Sequence, residues 1–406
     1  MAETARALPL SGSRVVELGT DLAAPYCARL LARFGADVIK IERPPLGDPL
    51  RRAGPFPDGR QDPEHGALFL ALNAGKRSAT IDVTTPTGRG LLDELLAKAD
   101  VLVENLPAPE ADAIGLTEET LGARHPHLVH VPVTHYGRTG PYREWRGAPL
   151  TASAMGGVSV GIGRPGGRPL TMPFSLGAYQ AGLAAAAGAV VGLLARRRTG
   201  SGQTVDVAEM QVWGTVHTGA NILTYLYLGV TGIRQGNRGI GLYPNEFLPC
   251  KDGFICLTCT PLHHWIAFLD CMGQPEWAEN PRYRNRRAML EEYPEEVDAL
   301  LVPWLRGHTR DELFAMAREK RFPLAPGMTV ADTLENEHLH ARGFFDELAV
   351  DGASVRVPGV PSRFSGLEPE APTAAPSLGA DTASVVCELL GRTPETLTQL
   401  RRAEIV

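Results

Sequence analysis

Strand-like and helix-like segments alternate along the first 140 residues of the chain. Short runs of β-branched and other apolar residues are separated by turns and by segments whose apolar residues recur with helical spacing. Such alternation predicts an α/β fold in which a parallel, Rossmann-like sheet is covered by helices on both faces. In such sheets, ligands bind where the carboxyl ends of the strands meet the loops. The predicted strands lie at 15–18, 37–42, 78–83, 101–103 and 128–131, and the predicted helices between them include 24–34 and 88–99.

The length of the chain predicts two domains, because 406 residues exceed what one hydrophobic core usually organises. A long helix rich in alanine and glycine is predicted at 176–198, and helical sequence continues to about residue 228. The segment from about residue 232 to 330 has a different pattern of predicted secondary structure, with a hairpin-like turn between short strands and then several helices. We therefore predict a large domain formed by 1–228 and 330–406, and a smaller α+β domain formed by 232–329.

Net charge and composition exclude several classes of partner. The formal net charge of −6 argues against a nucleic acid or an anionic membrane as the main partner, since both select a basic surface. The apolar run at 172–195 is predicted to be a buried helix and not a membrane span. Six cysteines are too few for a disulfide scaffold, and no secretory signal pattern is present. We expect a cytoplasmic protein.

The pair Cys256 and Cys259 has the C-x-x-C spacing of many zinc sites. It lies in an alternating apolar run typical of a strand, where cysteines fill core space as small hydrophobic residues. A tetrahedral site normally needs a turn that brings four ligands together. The sequence therefore predicts no metal.

Seven blocks of sequence, in order along nearly the whole chain, resemble the family III CoA-transferases. That family includes formyl-CoA transferase, the carnitine CoA-transferases and α-methylacyl-CoA racemase. No single block is decisive, but their number, order and spacing together carry the resemblance. The blocks lie at 30–44, 72–78, 99–105, 137–141, 198–203, 249–253 and 341–345.

The resemblance implies a large CoA-binding domain, a smaller second domain, and two subunits threaded through each other as an interlocked dimer. It also implies that coenzyme A or an acyl-CoA is the ligand. Guanidinium and ammonium groups at strand ends suit this ligand, because they neutralise the 3′-phosphate and the diphosphate of CoA. The residues at positions that contact or surround CoA in the family are Arg43, Lys76, Arg77, Asn105 and Leu106.

Ala178 stands where the resemblance places the catalytic residue of the transferases. In that family an aspartate carboxylate attacks the thioester and forms an enzyme-bound mixed anhydride, which splits one difficult exchange into easier steps. A methyl group cannot attack a thioester, and no acidic residue occurs between Glu144 and Asp206 to replace it. The catalytic histidine of the racemase branch is absent as well, because Ala148 occupies its position.

Three functions are compatible with a CoA-binding chain that lacks this carboxylate. In the first, the chain is the aspartate-lacking subunit of a heteromeric CoA-transferase that moves CoA between carboxylic acids, and a paralogue supplies the aspartate. Alternatively, it acts on acyl-CoA as a lyase, isomerase or racemase through other residues, or it binds CoA esters without turnover. Both a homodimer and a heterodimer fit the sequence.

Four residues are candidates for relocated chemistry. Asp21 follows the first predicted strand, where a stabilising charge at the start of the next helix is the structural alternative. His135 and Tyr136 end a predicted strand before a glycine-containing loop, and a histidine there can act as an acid or a base near neutral pH. Their structural alternative is a role at the strand end. Glu209 is predicted at a helix start, where capping or packing also explains it.

Overall fold

The structure is a computed structural model that describes residues 8–231, 234–239, 241–350, 352–367 and 371–406. The chain divides into two compact units. The division differs from the predicted one in two respects: 161–170 belongs to unit 2, and unit 2 continues to residue 340. A main-chain hydrogen bond of 2.9 Å from Gly236 N–H to the Gly163 carbonyl ties 161–170 to unit 2. Unit 1 comprises Met1–Val160, Thr171–Gly232 and Ala341–Val406, and unit 2 comprises Gly161–Leu170 and Ile233–His340.

A six-stranded parallel sheet forms the centre of unit 1. Its strands are β1 (Arg14–Leu18), β2 (Asp37–Glu42), β3 (Arg77–Thr80), β4 (Val101–Glu104), β5 (Val129–Thr134) and β6 (Val207–Ala208). They lie in the order β3-β2-β1-β4-β5-β6, and every neighbouring pair is parallel. The predicted α/β fold with a parallel sheet is therefore confirmed. The third strand ends at Thr80, earlier than predicted.

Helices connect these strands and are the main secondary structure of unit 2. The α-helices are α1 (Ala23–Arg33), α2 (Ala67–Asn73), α3 (Pro86–Leu96), α4 (Ala108–Ala113), α5 (Glu118–Arg124), α6 (Pro149–Met155), α7 (Leu176–Thr199), α8 (Glu209–Trp213), α9 (Gly219–Leu228), α10 (Leu262–Cys271), α11 (Arg286–Glu291), α12 (Pro294–Leu305), α13 (Arg310–Lys320), α14 (Val330–Leu334), α15 (Glu337–Ala341) and α16 (Pro394–Arg402). Short 3₁₀ helices lie at Pro49–Arg52, Pro57–Gly59, Ser159–Gly161, Glu276–Glu279 and Pro281–Arg284, and π-helical turns at Gly214–Thr218 and Ser384–Leu389.

Both faces of the sheet are buried, as the near-continuous apolar strands require. Successive side chains of a strand point to opposite faces, so neighbours in sequence belong to different cores. Val16 of β1 packs in one core with leucines of α3. Val15 packs in the other core with residues of α1 and α7. The carboxyl ends of the strands are thereby left as one open edge.

Helix α7 approaches its neighbours closely because its inner face consists of alanine and glycine. A Cβ atom at Gly182 would lie 2.6 Å from the carbonyl oxygen of Ala23, where α1 begins. One at Gly192 would lie 2.7 Å from Cγ1 of Val129 on β5. Any larger side chain at these two positions would push α7 away from the sheet.

Of the helices that the structure describes, α7 alone is long and apolar enough to cross a membrane, judged by length and composition. A single helix of this kind is weak evidence, because the core helix of a folded domain meets the same criteria. The inner face of α7 is buried against α1 and β5. Its outer face exposes the apolar side chains of Leu183, Val191 and Leu194.

Unit 2 has an α+β structure with its own core. Strands β7 (Asn245–Pro249), β8 (Phe254–Thr258) and β9 (Leu324–Pro326) form an antiparallel sheet in the order β7-β8-β9. Cys256 lies within β8 and Cys259 is buried just after it. Across the described residues of the whole chain, no three His, Cys, Asp or Glu side chains form a group that could hold a metal ion. The remaining strands, β10 (Phe345–Val350) and β11 (Ala353–Pro358), form an antiparallel pair in unit 1.

Candidate functional site

A cavity of about 330 Å³ opens in unit 1 at the carboxyl ends of β1, β4 and β5. The loops after β1 and β4, the end of β5 and the first turns of α7 and α8 form its wall. Parallel α/β folds bind their ligands at this edge of the sheet. The cavity brings together residues that the sequence predicts separately: Asp21, Asn105, Leu106, His135, Tyr136, Ala178 and Glu209.

Asn105 joins the two loops that form the floor of the cavity. Its Oδ1 accepts a hydrogen bond of 2.9 Å from the Thr20 backbone N–H, and its Nδ2 donates one of 2.7 Å to the Thr20 carbonyl. Both hydrogen-bonding ends of the amide are thereby used, which fixes its orientation. Asn105 therefore fixes the loop after β4 to the loop after β1. Leu106, the next residue, also lines the cavity.

Asp21 opens into the cavity from the loop after β1. Its φ of 64° lies in the left-handed region, which is costly for a residue other than glycine. It does not cap the following helix, because α1 has Leu22 at its N-cap and no side-chain cap. Partial burial raises the pKa of the Asp21 carboxyl above its ordinary value, and the Asp48 carboxylate adds to that rise. The Asp21 side chain therefore does not cap α1, although it lies two positions before the helix begins.

Glu209 orients His135 in the cavity wall. His135 directly follows β5, Glu209 begins α8, and the distance from His135 Nδ1 to Glu209 Oε2 is 2.8 Å. A carboxylate at Nδ1 favours the tautomer that carries a proton there, which leaves the lone pair on Nε2. The main chain of Gly147 packs against the ring, since a Cβ atom there would lie 2.8 Å from His135 Cγ and Cδ2. The imidazole is thus held by a hydrogen bond and by packing.

The second oxygen of Glu209 meets the indole of Trp213 beside Gly177. These two side chains are 3% and 2% exposed. Neither Glu209 Oε1 nor Trp213 Nε1 has a hydrogen-bond partner within the described part of the chain. A Cβ atom at Gly177 would collide with both atoms. An unpaired buried donor or acceptor costs about 1–3 kcal/mol, which a bound polar group or water molecule would recover.

Ala178 lies in the first turn of α7 and contributes a methyl group to the cavity wall. Ser175, just before the helix, also lines the cavity and has a φ of 51°. The N-terminus of this 24-residue helix carries a partial positive charge that favours a nearby anion. A methyl group therefore occupies a place where the local field would stabilise a carboxylate.

Tyr136 belongs to an aromatic lip at the mouth of the cavity. Its hydroxyl donates a hydrogen bond of 2.8 Å to Thr151 Oγ1, which ties it to α6. The rings of Tyr142 and Trp145 lie 4.3 Å apart, and the Trp145 side chain is largely exposed. Arg143 lines the same mouth. The lip offers apolar surface to a ligand, whereas the Arg143 guanidinium pairs with the Asp112 carboxylate.

Arg43 and Arg77 lie at different edges of the sheet. Arg43 follows the carboxyl end of β2, is 69% exposed and pairs loosely with Asp82 at 3.6 Å. Arg77 is the first residue of β3, so it lies at the amino edge, opposite the cavity. Its guanidinium donates to Ser384 Oγ at 2.8 Å and pairs with Asp37. Arg43 is thus available to an anionic ligand, whereas protein groups hold Arg77.

Lys76 is enclosed in a buried ionic network instead of facing a ligand. Its Nζ donates to Glu17 Oε2 at 2.6 Å, to the Pro25 carbonyl at 2.9 Å and to Asn73 Oδ1 at 2.8 Å. Lys40 pairs with the other oxygen of Glu17 at 2.7 Å. Burial alone would raise the pKa of Glu17, but the two ammonium groups hold it below its usual value. The predicted contact of Lys76 with CoA therefore finds no open ammonium group in the described structure.

Three buried residues behind the site, Glu17, Lys40 and Trp213, are not among the residues that the sequence predicts for it. Glu17 and Lys40 lie inside apolar strands that are buried on both faces. A charge at such a position predicts an internal ion pair, since an unpaired charge could not be buried there. That signal was available in the sequence, whereas nothing in the sequence distinguishes Trp213 from an ordinary core residue.

A sequence profile described as CoA-transferase family III matches residues 10–382 of the chain. The chain is also similar to two proteins of Chloroflexus aurantiacus. The succinyl-CoA--L-malate CoA-transferase alpha subunit is 35% identical over 407 residues, which cover 98% of this chain and 93% of the relative. The beta subunit of the enzyme with the same name is 32% identical over 418 residues and the full length of both chains.

Two further similarities cover nearly the whole chain. The succinate--glutarate CoA-transferase of Agrobacterium fabrum is 31% identical over 387 residues, which cover 94% of this chain and 96% of the relative. Among solved structures, a CAIB/BAIF family protein from Brucella suis aligns with a TM-score of 0.85 at 32% identity. That alignment covers 95% of this chain and 100% of the other.

Proposed function

The chain belongs to CoA-transferase family III, and we propose that it is the aspartate-lacking subunit of a heteromeric CoA-transferase that moves CoA between carboxylic acids. The observation that carries the proposal is the methyl group of Ala178 in the cavity wall. The family resemblance puts at this place the aspartate that forms the covalent intermediate. In the proposed complex this chain binds a CoA thioester, and a paralogous subunit supplies the carboxylate.

The size and position of the cavity support binding of the reacting end of CoA. A volume of about 330 Å³ holds a thioester with a short acyl group, and the nucleotide then lies outside on the surface. Arg43 is exposed at the same edge of the sheet and can neutralise a phosphate. We therefore place the phosphates of CoA near Arg43 and its thioester near Ala178.

Two further features support pairing with a second subunit. The chain resembles both an alpha and a beta subunit of one CoA-transferase over nearly its full length. Unit 1 also exposes apolar side chains on the outer face of α7 and along α9, a surface that isolated chains rarely leave open. We propose that a family partner, threaded through this chain as an interlocked dimer, covers them. The exposed side chains include Leu183, Val191, Leu194, Leu226, Tyr227 and Leu228.

Isolation of the natural complex tests this proposal. Native mass spectrometry is expected to find the chain paired with a paralogue that carries the aspartate. The complex should transfer CoA from succinyl-CoA to a dicarboxylic acid, whereas the isolated chain should bind CoA in calorimetry without transfer. Succinyl-CoA is the first probe because it appears in the names of the malate CoA-transferase subunits. A hydroxylamine-trapped acyl anhydride on the isolated chain would contradict the proposal, and CoA binding without partner or turnover would assign a binding role alone.

Arg43→Ala is expected to weaken CoA binding about tenfold, since it removes one charge-assisted contact to a phosphate. Binding of an acyl-pantetheine, which has no nucleotide phosphates, should remain unchanged. Calorimetry with both ligands makes the comparison. The matched control is Lys98→Ala, an exposed cation just before β4 at the amino edge of the sheet. If Arg43→Ala weakens binding of CoA and of the acyl-pantetheine equally, Arg43 does not contact a phosphate of CoA.

A further inference from the structure

We infer that the cavity of this chain hydrolyses a CoA thioester, with His135 as general base for a water molecule beside the methyl group of Ala178. The inference rests on the proposed function only for binding of the thioester, because CoA transfer is a separate reaction. Hydrolysis is inferred for the cavity as this chain forms it, from the residues of this chain that line it.

Alanine at position 178 makes room for water at the place from which a nucleophile would attack. A carboxyl group there would project from the first turn of α7 into the cavity that Ala178 lines. Its absence leaves space on the order of one water molecule, whose share of liquid volume is about 30 Å³. A thioester seated against this turn then meets water instead of a carboxylate.

His135 has the arrangement of a base that acts on water. Its Nδ1 is bonded to Glu209 Oε2 at 2.8 Å, and Nε2 has no hydrogen-bond partner among the described residues. The carboxylate is buried and therefore stabilises the imidazolium that forms when Nε2 takes a proton. His135 and Ala178 line the same cavity. General-base catalysis needs this combination of an oriented imidazole and an adjacent substrate site.

A second observation concerns buried polar atoms behind the cavity wall, beside the residue that precedes Ala178. Glu209 Oε1 and Trp213 Nε1 are buried without hydrogen-bond partners in the described part of the chain. Both atoms border Gly177, the residue before Ala178. An acceptor and a donor side by side are the partners that an ordered water molecule requires. Glu209, which also lines the cavity, therefore has one carboxylate oxygen left to accept a further hydrogen bond.

The reaction balances with water as the only co-reactant. His135 Nε2 takes a proton from water as the water oxygen bonds to the thioester carbonyl carbon, and the carbonyl π electrons move to oxygen. The N-terminus of α7 favours this oxyanion through its partial positive charge. When the intermediate collapses, the carbon–sulfur bond breaks and the imidazolium returns its proton to the CoA thiolate. The products are a carboxylic acid, which ionises in solution, and CoA thiol.

The test measures thiol release from succinyl-CoA and acetyl-CoA by the chain as purified, with any partner it retains. Thiol should appear above the enzyme-free rate, and in water enriched in oxygen-18 the acid product should carry one labelled oxygen per turnover. His135→Asn should lower the rate at saturating substrate at least about a hundredfold. The affinity for succinyl-CoA, measured by calorimetry, should not change.

Glu209→Gln is the second variant, and it separates a positioning role from a structural one. Its amide oxygen can still accept the Nδ1 hydrogen bond but cannot stabilise an imidazolium by charge. We expect a fall in kcat of at least about tenfold with KM unchanged. The matched control is His308→Asn, a histidine of unit 2 whose Nδ1 bonds the Trp304 carbonyl and which does not line the cavity among the described residues. His308→Asn should hydrolyse succinyl-CoA at the original rate.

Four results would overturn the inference. They are binding of succinyl-CoA without thiol release, equal release by His135→Asn, loss of release in Asp21→Asn but not in His135→Asn, and deuterium uptake at the α-carbon in heavy water without release. The last result would assign proton transfer instead of hydrolysis. Failure to bind any acyl-CoA would overturn the proposed function as well, so the two failures are distinguishable.

Discussion

Ala178→Asp is expected to give the isolated chain CoA-transferase activity about a hundredfold or more above its background. The new carboxylate would project into the cavity from the first turn of α7, where the helix dipole stabilises its anionic form. A nucleophile held beside a bound thioester reacts within one complex, and its reaction rate is therefore several powers of ten higher than in free solution. The assay follows transfer of CoA from succinyl-CoA to an added dicarboxylic acid.

The control for this gain is Ala178→Asn, which has nearly the same size and no attacking carboxylate. Hydroxylamine added during turnover should convert the side chain of Ala178→Asp to a hydroxamate, located by peptide mass spectrometry, and should leave Ala178→Asn unmodified. Equal activity of the two variants would show that the gain comes from a change of shape. Absence of the hydroxamate together with absence of transfer would mean that position 178 does not face the thioester carbonyl.

Glu17→Leu is expected to lower the free energy of unfolding by about 3–5 kcal/mol. The carboxylate of Glu17 is fully buried between the ammonium groups of Lys40 and Lys76. Its removal leaves Lys76 with only the Pro25 carbonyl and the Asn73 amide as partners for a buried charge. Equilibrium unfolding in urea, followed by circular dichroism, measures the difference.

Asp37→Asn is the matched control for this loss of stability. Asp37 also forms two ion pairs on the same sheet, with Arg14 and Arg77, but its side chain is about one third exposed. Exposed pairs are worth about 1 kcal/mol or less, so Asp37→Asn should change the stability only slightly. The double variant Glu17→Leu with Lys76→Met should be more stable than Glu17→Leu alone, because it removes the stranded charge. If Glu17→Leu lowers the free energy of unfolding by less than about 1 kcal/mol, the ion pairs of Glu17 with Lys40 and Lys76 do not stabilise the fold as predicted.

The architecture of unit 1 could be predicted because its signals are local. Alternating strands and helices in the first 140 residues predict parallel crossovers, and every neighbouring pair of strands in the observed sheet is parallel. The boundary of unit 2 could not be predicted in the same way. The segment 161–170 joins unit 2 through a main-chain hydrogen bond between Gly236 and Gly163, which side-chain patterning does not record.

The site could be predicted in part. The sequence names Asp21, His135 and Glu209 separately, but 74 positions separate the last two, and only the pairing of β5 with β6 brings them together. Lys76 shows the opposite case. A lysine after a turn is predicted to bind a ligand, but the Lys76 side chain points into the core and contacts Glu17, 59 positions earlier in the chain. Distances in space between residues far apart in sequence decided both outcomes.

The position of α7 depends on its glycine contacts and not on which residue stands at position 178. Gly182 and Gly192 bring the helix within contact distance of α1 and β5 through main-chain and methyl packing. Ala178 has no part in those two contacts. Evolution can therefore exchange the reactive group at the tip of α7 without rebuilding the scaffold, and a duplicated gene can change its chemistry through one codon while keeping its ligand.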